Sequence, residues 1–419
     1  MAALPSLDTR YPALIFKASR GTIHHGAVGI TRSLGRLGVP VYAIVEDSYT
    51  PLATSRYLTK AIVWKSWPRE REAFLGAMSE IGEIINHPAI LVPMDDLSAV
   101  LVAENASALS RYYLCPQLPW DLPRQMANKA SFHSLCVNSG IPCPRSVVPH
   151  SIDDVREFIE QTTFPVVVKA VEQWRLINDR YSAQVIHTPE ALFEFCENIK
   201  FEGSQMVLQE YIPGEDWIYH GYSNAKMSLH VGFTGKKLLG YPAGSGATAI
   251  GVSILNEELR SQSELLMQTI SYSGIIDIDW RRDEGSGQYK IVDCNPRVGM
   301  NFRMFEDGAG IDVVRAQHLN LSGRNIERSK MVEGRRFIVE PYYLLSSIRS
   351  GWSVLTTEAD PLPKGDKELA WWSSDDKLPF LVMSARLLPQ TIMRALLTGL
   401  NHLIRALLPK VKGASTWRP

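Results

Sequence analysis

The sequence predicts an α/β protein: a doubly wound parallel sheet at the amino end, then a larger region of mixed strands and helices. Three observations carry this prediction. Apolar runs of strand length alternate with helix-period segments through the first quarter of the chain. The β-branched run FPVVVKA (164–170) holds a single lysine. The stretch GIIDIDWRRDEGSGQYKIVDCNPRVG (274–299) alternates apolar residues with acids on both sides of a turn.

In chain order, PALIFKA (12–18) has the length and composition of a buried strand, and GAVGITRSLGRL (26–37) has helical spacing. VPVYAIV (39–45) is a second strand, and AILVPM (89–94) leads through Asp95 and Asp96 into a helix over SAVLVAENASAL (98–109). Strand–helix alternation of this kind makes a parallel sheet. His24, His25 and Gly26 precede the first helix, but there is no GxGxxG, so a dinucleotide site is weakly supported and the histidines are expected to be structural. PQLPWDLP (116–123) is expected to be a linker. MANKASFHSLCVNSGIPCPRSVV then gives one helix closed by Gly140 and a proline-punctuated turn. In FPVVVKA, Lys169 is costly to bury, so it reaches a cleft or an anion; the alternative is an edge-strand lysine in water. MVLQEYIPGEDWIYHGY (206–222), the two lysines of FTGKKLLGYP (233–242) and the glycine-rich AGSGATAIG (243–251) follow. Those glycines permit close backbone approach to a ligand, and equally suit a plain loop.

The hairpin at 274–299 is the most informative stretch. Ile276 and Ile278 take one face, Asp277 and Asp279 the other. On the second strand, regular alternation sends Ile291, Asp293 and Asn295 one way and Val292 and Cys294 the other, until Pro296 ends the ladder. A turn near Ser286 sets Asp279 opposite Asp293 and Asp277 opposite Asn295. Three acids and an amide then share one patch. Their repulsion is relieved if a cation fills the space, and hard oxygen ligands suit Mg²⁺ held with substrate phosphates. The alternative is a solvated edge hairpin.

Composition excludes several classes. The 419 residues suffice for two or three domains, and 45% hydrophobic with 21% charged residues is ordinary for a soluble protein. Forty-four basic and 44 acidic residues cancel, so there is no electrostatic case for nucleic acid. Five cysteines (115, 136, 143, 196 and 294) form no CxxC pair, which suggests reduced thiols in a cytoplasmic protein. The start, MAALPSLDTRYP, has no signal-peptide pattern, and no apolar run of about 18 residues predicts a membrane span.

The order of these motifs carries more than any one of them. A lysine before a GIP turn, the PVVVK strand, QEYIPGED and an acid–x–Asn–Pro–Arg strand together resemble the ATP-grasp superfamily over roughly residues 10–325. HGAVGITRSLGRLGVPV, FTGKKL and CNPRVGMNFRMF are most similar to bacterial carboxylate–amine ligases. The resemblance implies a Rossmann-like domain over 1–124, an ATP-grasp domain over 125–325 with lobes at about 125–208 and 209–325, and an appendage over 326–419. It implies that Lys129 and Lys169 contact ATP phosphates, and that Gln209, Glu210, Tyr211 and Ile212 hold adenine. Asp216 falls where the resemblance implies a ribose-binding acid, with neighbouring Glu215 as the fallback. The resemblance further implies that Lys237 faces the phosphates, that Asp279, Asp293 and Asn295 are Mg²⁺ ligands, and that Arg297 lies near the transferred phosphoryl group. Two Mg²⁺ ions are implied, with Mn²⁺ able to substitute.

Two departures stand out. The segment after Lys169, VEQWRLINDRYS, lacks the usual glycines, so Arg175 or Arg180 would have to replace backbone amides as phosphate donors. Gln209 stands where many relatives have an acid. The implied reaction joins a small-molecule carboxylate to an amine, amino-acid or peptide-like, through an acyl phosphate, releasing ADP and phosphate. Alternatives are bicarbonate or a non-amine acceptor, a catalytically silent nucleotide-binding module, and an NAD-dependent oxidoreductase. Arg303 is either an anchor for a substrate carboxylate or part of an ion pair. WWSSDDKLPF resembles the tail of the same ligases and is expected to be an aromatic patch packed on the core. In PQTIMRALLTGLNHLIRALLPKVKG (389–413), Arg394, Thr398, Asn401, His402 and Arg405 form one stripe opposite a broad apolar face. That face is expected to pack within the chain, make a homodimer contact, or lie on an anionic membrane surface.

Overall fold

The computed structural model describes residues 4–19, 21, 23–64, 70–172, 183–197, 206–241, 246–350 and 365–387, with the side chains of 347–350 excepted. Three sheets organise it.

The first is five-stranded and parallel: β1 (Ala13–Phe16), β2 (Val41–Val45), β3 (Lys60–Val63), β4 (Ala89–Pro93) and β5 (Tyr113–Leu114), in the order β3-β2-β1-β4-β5. Both faces are covered, which is why β1 is a continuous apolar run. Ala13 and Ile15 pack with Val28 and Ile30 of the His25–Gly35 helix, while Leu14 and Phe16 pack with Phe74 and Met78 of the Arg71–Ile85 helix. The half-exposed KAIV run of β3 and the Arg71–Ile85 helix are additions to the sequence reading. The helix expected over 98–109 is two, Asp96–Glu104 and Ala106–Leu109, and the first begins at a capping box made by Asp95 and Ser98. Strand order reverses between β1 and β4, so a crevice opens beyond their carboxyl ends.

The second sheet, antiparallel, runs β6 (Ser146–Val147), β9 (Met206–Glu210), β7 (Val166–Ala170), β8 (Ala183–Ile186). Val166 and Val168 pack with Val155, Phe158 and Leu192 of the Ile152–Glu160 and Pro189–Glu197 helices. Strand alternation therefore turns Lys169 to the opposite face.

The third sheet has seven strands: β10 (Gly214–Ser223), β11 (His230–Tyr241), β12 (Ala247–Ser253), β13 (Gly274–Asp283), β14 (Tyr289–Asn295), β15 (Arg336–Ile338) and β16 (Lys367–Leu369). Their order is β14-β13-β10-β11-β12-β15-β16. Ile276, Ile278 and Trp280 of β13 pack with Leu259, Leu266 and Met267 of the Glu257–Thr269 helix, each such side chain contributing about 1.5–3 kcal/mol of burial. The expected glycine-rich loop is strand from Ala247 onward, while residues 242–245 lie outside the described residues.

One sequence expectation needs correction here. The linker and single helix over 116–140 are instead two helices, Leu122–Ala127 and Lys129–Asn138, separated by Asn128. The Asn128 side chain accepts from the N–H groups of Ala130 and Ser131 and so starts the second helix. Phe132 and Cys136 pack with Ile276, Ile278 and Cys294, which attaches this helix to the seven-stranded sheet. Residues 336–338 and 367–369, within the expected 326–419 region, are strands of that same sheet, and Trp371 joins its core.

The acids of WWSSDDKLPF do more than the expected aromatic packing. Asp376 is buried and accepts from Arg32 Nε at 3.0 Å, Ser55 Oγ at 2.8 Å and the Arg56 N–H at 2.9 Å. Its carbonyl and that of Trp371 take the Arg32 Nη2 at 2.8 and 2.7 Å. Asp375 accepts from Arg36 at 2.9 and 3.0 Å and from the Tyr57 hydroxyl at 2.7 Å. The C-terminal helix expected over 389–413 lies outside the described residues. No helix among the described residues is long and apolar enough to cross a membrane.

Candidate active site

The hairpin forms with the predicted register: Asp277 faces Asn295 and Asp279 faces Asp293. One detail differs. The ladder slips between Asp279 and Trp280, so that Trp280 pairs with Ile291 and Val292 is an extra residue on β14. Regular alternation would have put Ile291 beside Asp293; the bulge lets Ile291 and Cys294 both enter the core while Asp293 stays on the cleft side. It also frees the Val292 carbonyl, which accepts from Lys169 Nζ at 2.8 Å.

Charged side chains from the second and third sheets and from neighbouring helices converge here. Lys129, at the start of its helix, donates to Asp293 Oδ1. Lys237 Nζ is 3.8 Å from Asp279 Oδ1 and 3.4 Å from the Gly246 carbonyl. Arg297 donates from Nη1 to Asp277 Oδ2 at 2.9 Å and to the Val298 carbonyl at 3.2 Å, and its Nε lies 3.4 Å from Asp96 Oδ1. The Asn295 amide nitrogen donates to Asp277 at 3.3 Å. Burial pushes the Asp293 carboxyl up, but Lys129 and Lys169 overcome it and hold it below the ordinary value. Burial also raises Asp279; Lys237 opposes this, and Asp277 and Asp293 add to it. The two facing acids are thus unequal. Among the described residues no three His, Cys, Asp or Glu side chains form a metal cluster. The Asp279, Asp293 and Asn295 set offers two carboxylates and an amide, a donor set that fits an ion bound mainly through substrate phosphates and water.

The hinge between the second and third sheets carries the remaining predicted residues. Gly214 opens β10 with φ +130, and a Cβ there would lie 2.0 Å from the Arg282 carbonyl, so only glycine fits. Arg281 lies over the Tyr211 ring at 4.9 Å, and its Nε is 3.3 Å from Asp216 Oδ1. Ile212 is buried. Gln209 donates to Ser146 Oγ at 3.0 Å, and Glu210 accepts from the Arg145 N–H at 3.1 Å with Lys290 Nζ 3.5 Å away.

Strand parity decides between the two hinge acids. Asp216 pairs across the ladder with Arg281, two residues from Asp279, so it shares the cleft face. Glu215 shares the opposite face with Trp217, accepts from its indole N–H at 3.1 Å, and takes Lys236 at 2.8 Å. The fallback is therefore discarded. Arg303 is also displaced. It is buried, with Nη1 on Asp312 at 2.9 Å, Nε on Glu368 at 3.2 Å and Nη2 3.7 Å from Glu306. All its donor edges face acids of the protein, which is the ion-pair alternative and not a substrate anchor. Arg175 and Arg180 lie outside the described residues.

Three residues escaped the sequence reading. Asp96 reaches Arg297 from the crevice beside β4; an acid at the carboxyl end of a switch-point strand was the available signal. His220, fully buried opposite Asp277 on β10, places Nε2 3.0 Å from Asp277 Oδ1. A histidine inside the apolar WIYHGY run was its signal. Arg281 shows only through its parity with Asp279.

Lys169 gives a pH prediction. Burial first, then Lys129 and Arg281 against the pull of Asp293 and Asp279, lower its pKa to about 8. Its charge is present below that value and lost above it. The unfolded chain keeps the proton to higher pH, so stability from this group rises between the two values. ATP affinity, measured calorimetrically, is expected to weaken as pH passes 8 in the wild type and to be weaker at every pH in Lys169→Ala, with a flatter profile. Identical profiles would place Lys169 outside the phosphate site.

No family model matches the chain. Its fold is that of the ATP-grasp proteins, shared with solved structures over 75–79% of the chain. N5-carboxyaminoimidazole synthetase from Staphylococcus aureus gives a TM-score of 0.59 at 12% identity, covering 79% of this chain and 82% of that one. The L-amino acid ligase from Bacillus licheniformis gives 0.55 at 16% identity, covering 75% of each. Among curated proteins, the chain is similar to the D-aspartate ligase of Enterococcus faecium (strain Aus0004), 25% identical over 224 residues. That match takes in 50% of this chain and 53% of the ligase, so it spans about half the length of the curated relative.

Proposed function

We propose that this protein is an ATP-dependent carboxylate–amine ligase. The observation that carries the proposal is the facing pair Asp279 and Asp293, ringed by Lys129, Lys169, Lys237 and Arg297, within an ATP-grasp fold. The similarity to D-aspartate ligase supports amide formation as the outcome. In the protein alone the lysines neutralise the acids. A polyphosphate would draw the lysines to itself and leave the carboxylates for a divalent cation, so the ring of charge is already matched to both.

Asp279, Asp293 and Asn295 are the residues that would hold magnesium, which supplies charge neutralisation on the phosphates. The reading otherwise rests on the chain's own groups. Lys129, Lys169 and Lys237 orient the phosphates, and Arg281 with Tyr211 and Asp216 shapes the nucleoside side of the cleft. Arg297, fixed by Asp277 and Asp96, faces the transferred phosphoryl group. A substrate carboxylate oxygen attacks the γ-phosphorus and ADP leaves; an amine then attacks the acyl carbon, phosphate leaves, and the amine proton passes to solvent or base. The substrates are a small carboxylic acid and a small amine of amino-acid or peptide-like kind. Five unpaired thiols among the described residues suit a reducing, cytoplasmic setting.

The test is ADP release with pooled carboxylic acids, with and without pooled amines. ADP that appears only when both pools are present is the expected result. ADP formed with bicarbonate and no amine would move the protein to the carboxylating members of the fold. No ADP under any combination, with intact ATP binding, would support the silent module.

A further inference from the structure

One fully buried polar side chain has no part in the reaction proposed above. His220 sits in the middle of β10, paired with Asp277 of β13 on one side and Phe233 of β11 on the other. Its Nε2 lies 3.0 Å from Asp277 Oδ1, and neither ring nitrogen has a hydrogen-bond partner elsewhere among the described residues. An imidazole taken out of water is costly unless a polar partner compensates it, and the Asp277 carboxylate is that partner.

The two oxygens of Asp277 are divided between different neighbours. Oδ1 meets His220, while Oδ2 accepts from Arg297 Nη1 at 2.9 Å and from the Asn295 amide nitrogen at 3.3 Å. The terminal torsion of an aspartate is soft, so a carboxylate held through one oxygen can turn about it. A donor on the second oxygen fixes its plane. That plane directs the Arg297 guanidinium, because the contact with Asp96 is longer, at 3.4 Å. The imidazole is itself confined. Its ring lies 5.0 Å from that of Phe305, which stacks on Phe233 at 6.0 Å, and both phenylalanines are buried. The chain just after Arg297 closes over the pair: a Cβ at Gly299 would lie 2.6 Å from His220 Nε2 and 2.7 Å from Asp277 Cγ.

We propose that His220 is a positioning residue that orients Arg297 through Asp277. Fully buried, it acts only through the carboxylate. Its consequence for turnover rests on the ligase reading above; its hold on Arg297 does not.

Two measurements on the full-length protein keep these apart. With ¹⁵N-labelled arginine, the Arg297 Nε–H signal is assigned by its loss in Arg297→Lys, and its exchange with solvent is followed. His220→Phe keeps a ring in the aromatic site and removes the donor, and exchange is expected to quicken about fivefold, the scale of one lost hydrogen bond. His220→Gln, whose amide nitrogen reaches the place of Nε2, should restore most of the protection. If the phenylalanine variant does not fold, His220→Asn, whose amide stops at the place of Nδ1, takes its part. With ATP, acid and amine, kcat for ADP formation should fall at least about tenfold in His220→Phe and largely recover in His220→Gln, with the KM for ATP little changed, since misplacing a group costs rate when other groups hold the nucleotide. Unchanged Arg297 exchange in His220→Phe, or equal losses in the phenylalanine and glutamine variants, would overturn the proposal. A raised KM for ATP at unchanged kcat would overturn its link to turnover. A wild type that forms no ADP would remove the ligase reading, and the exchange comparison would still decide whether His220 holds Arg297.

Discussion

Asp293→Asn is expected to reduce ADP formation by more than about a hundredfold, the scale seen when a single group aimed at developing charge is removed. Asp293 stands where three cationic or metal-directed demands meet: it faces Asp279 across the hairpin, accepts from Lys129, and draws on Lys169. The amide keeps the shape and removes the charge. Lys129 and Lys169 then lose the carboxylate between them and remain free to bind phosphate, so nucleotide affinity should fall far less than turnover. The fold should persist, because the side chain is 29% exposed and lies outside the apolar clusters. The measurements are turnover at saturating magnesium and the dissociation constant for ATP, with circular dichroism as the check on folding. Turnover within a few-fold of the wild type would remove the metal assignment.

Asp376→Ala should be the most destabilising single change outside the cleft, costing about 3–5 kcal/mol, because it leaves a buried charge without its partner. Arg32 and Asp376 have side chains 5% and 1% exposed, and Asp376 also satisfies Ser55 and the Arg56 N–H. All three lose an acceptor at once, so the loss exceeds that of one hydrogen bond. Arg32→Met in the same background should recover part of the stability, since the orphaned guanidinium is then gone. Urea denaturation of the two variants decides it. A cost for Asp376→Ala below about 1 kcal/mol, the range of exposed pairs, would show that the pair is not buried in solution.

These two residues mark what could and could not be read in advance. The hairpin register, with Asp279 against Asp293, follows from a period-two pattern on each side of a short turn. Sequence distance there is small and the geometry is local. The parallel sheet was legible for the same reason: doubly buried strands must be apolar throughout, and β1, β2 and β4 are. The order of lysine, hinge and terminal acid motifs then made Lys129, Lys169, Asp216, Lys237 and Arg297 candidates for one site.

Only the tertiary structure decided the rest. A bulge costs one residue and leaves no mark in composition, so the face taken by Ile291 could not be known. Parity put Asp216, and not Glu215, on the face of Asp279 only once the ladder with Arg281 was in place. Arg303 carries the same side chain as Arg297 and lies six residues on, yet it is enclosed by Asp312, Glu368 and Glu306 while Arg297 meets Asp277 and Asp96. Arg32 and Asp376 stand 344 positions apart and meet because β15 and β16 complete the seven-stranded sheet. The sequence by itself determined which chemistry the chain carries, since residue types and local periods are written in it. Which charges pair with each other was settled by packing, because an ion pair is chosen by what the fold brings within about 4 Å in a medium that screens poorly.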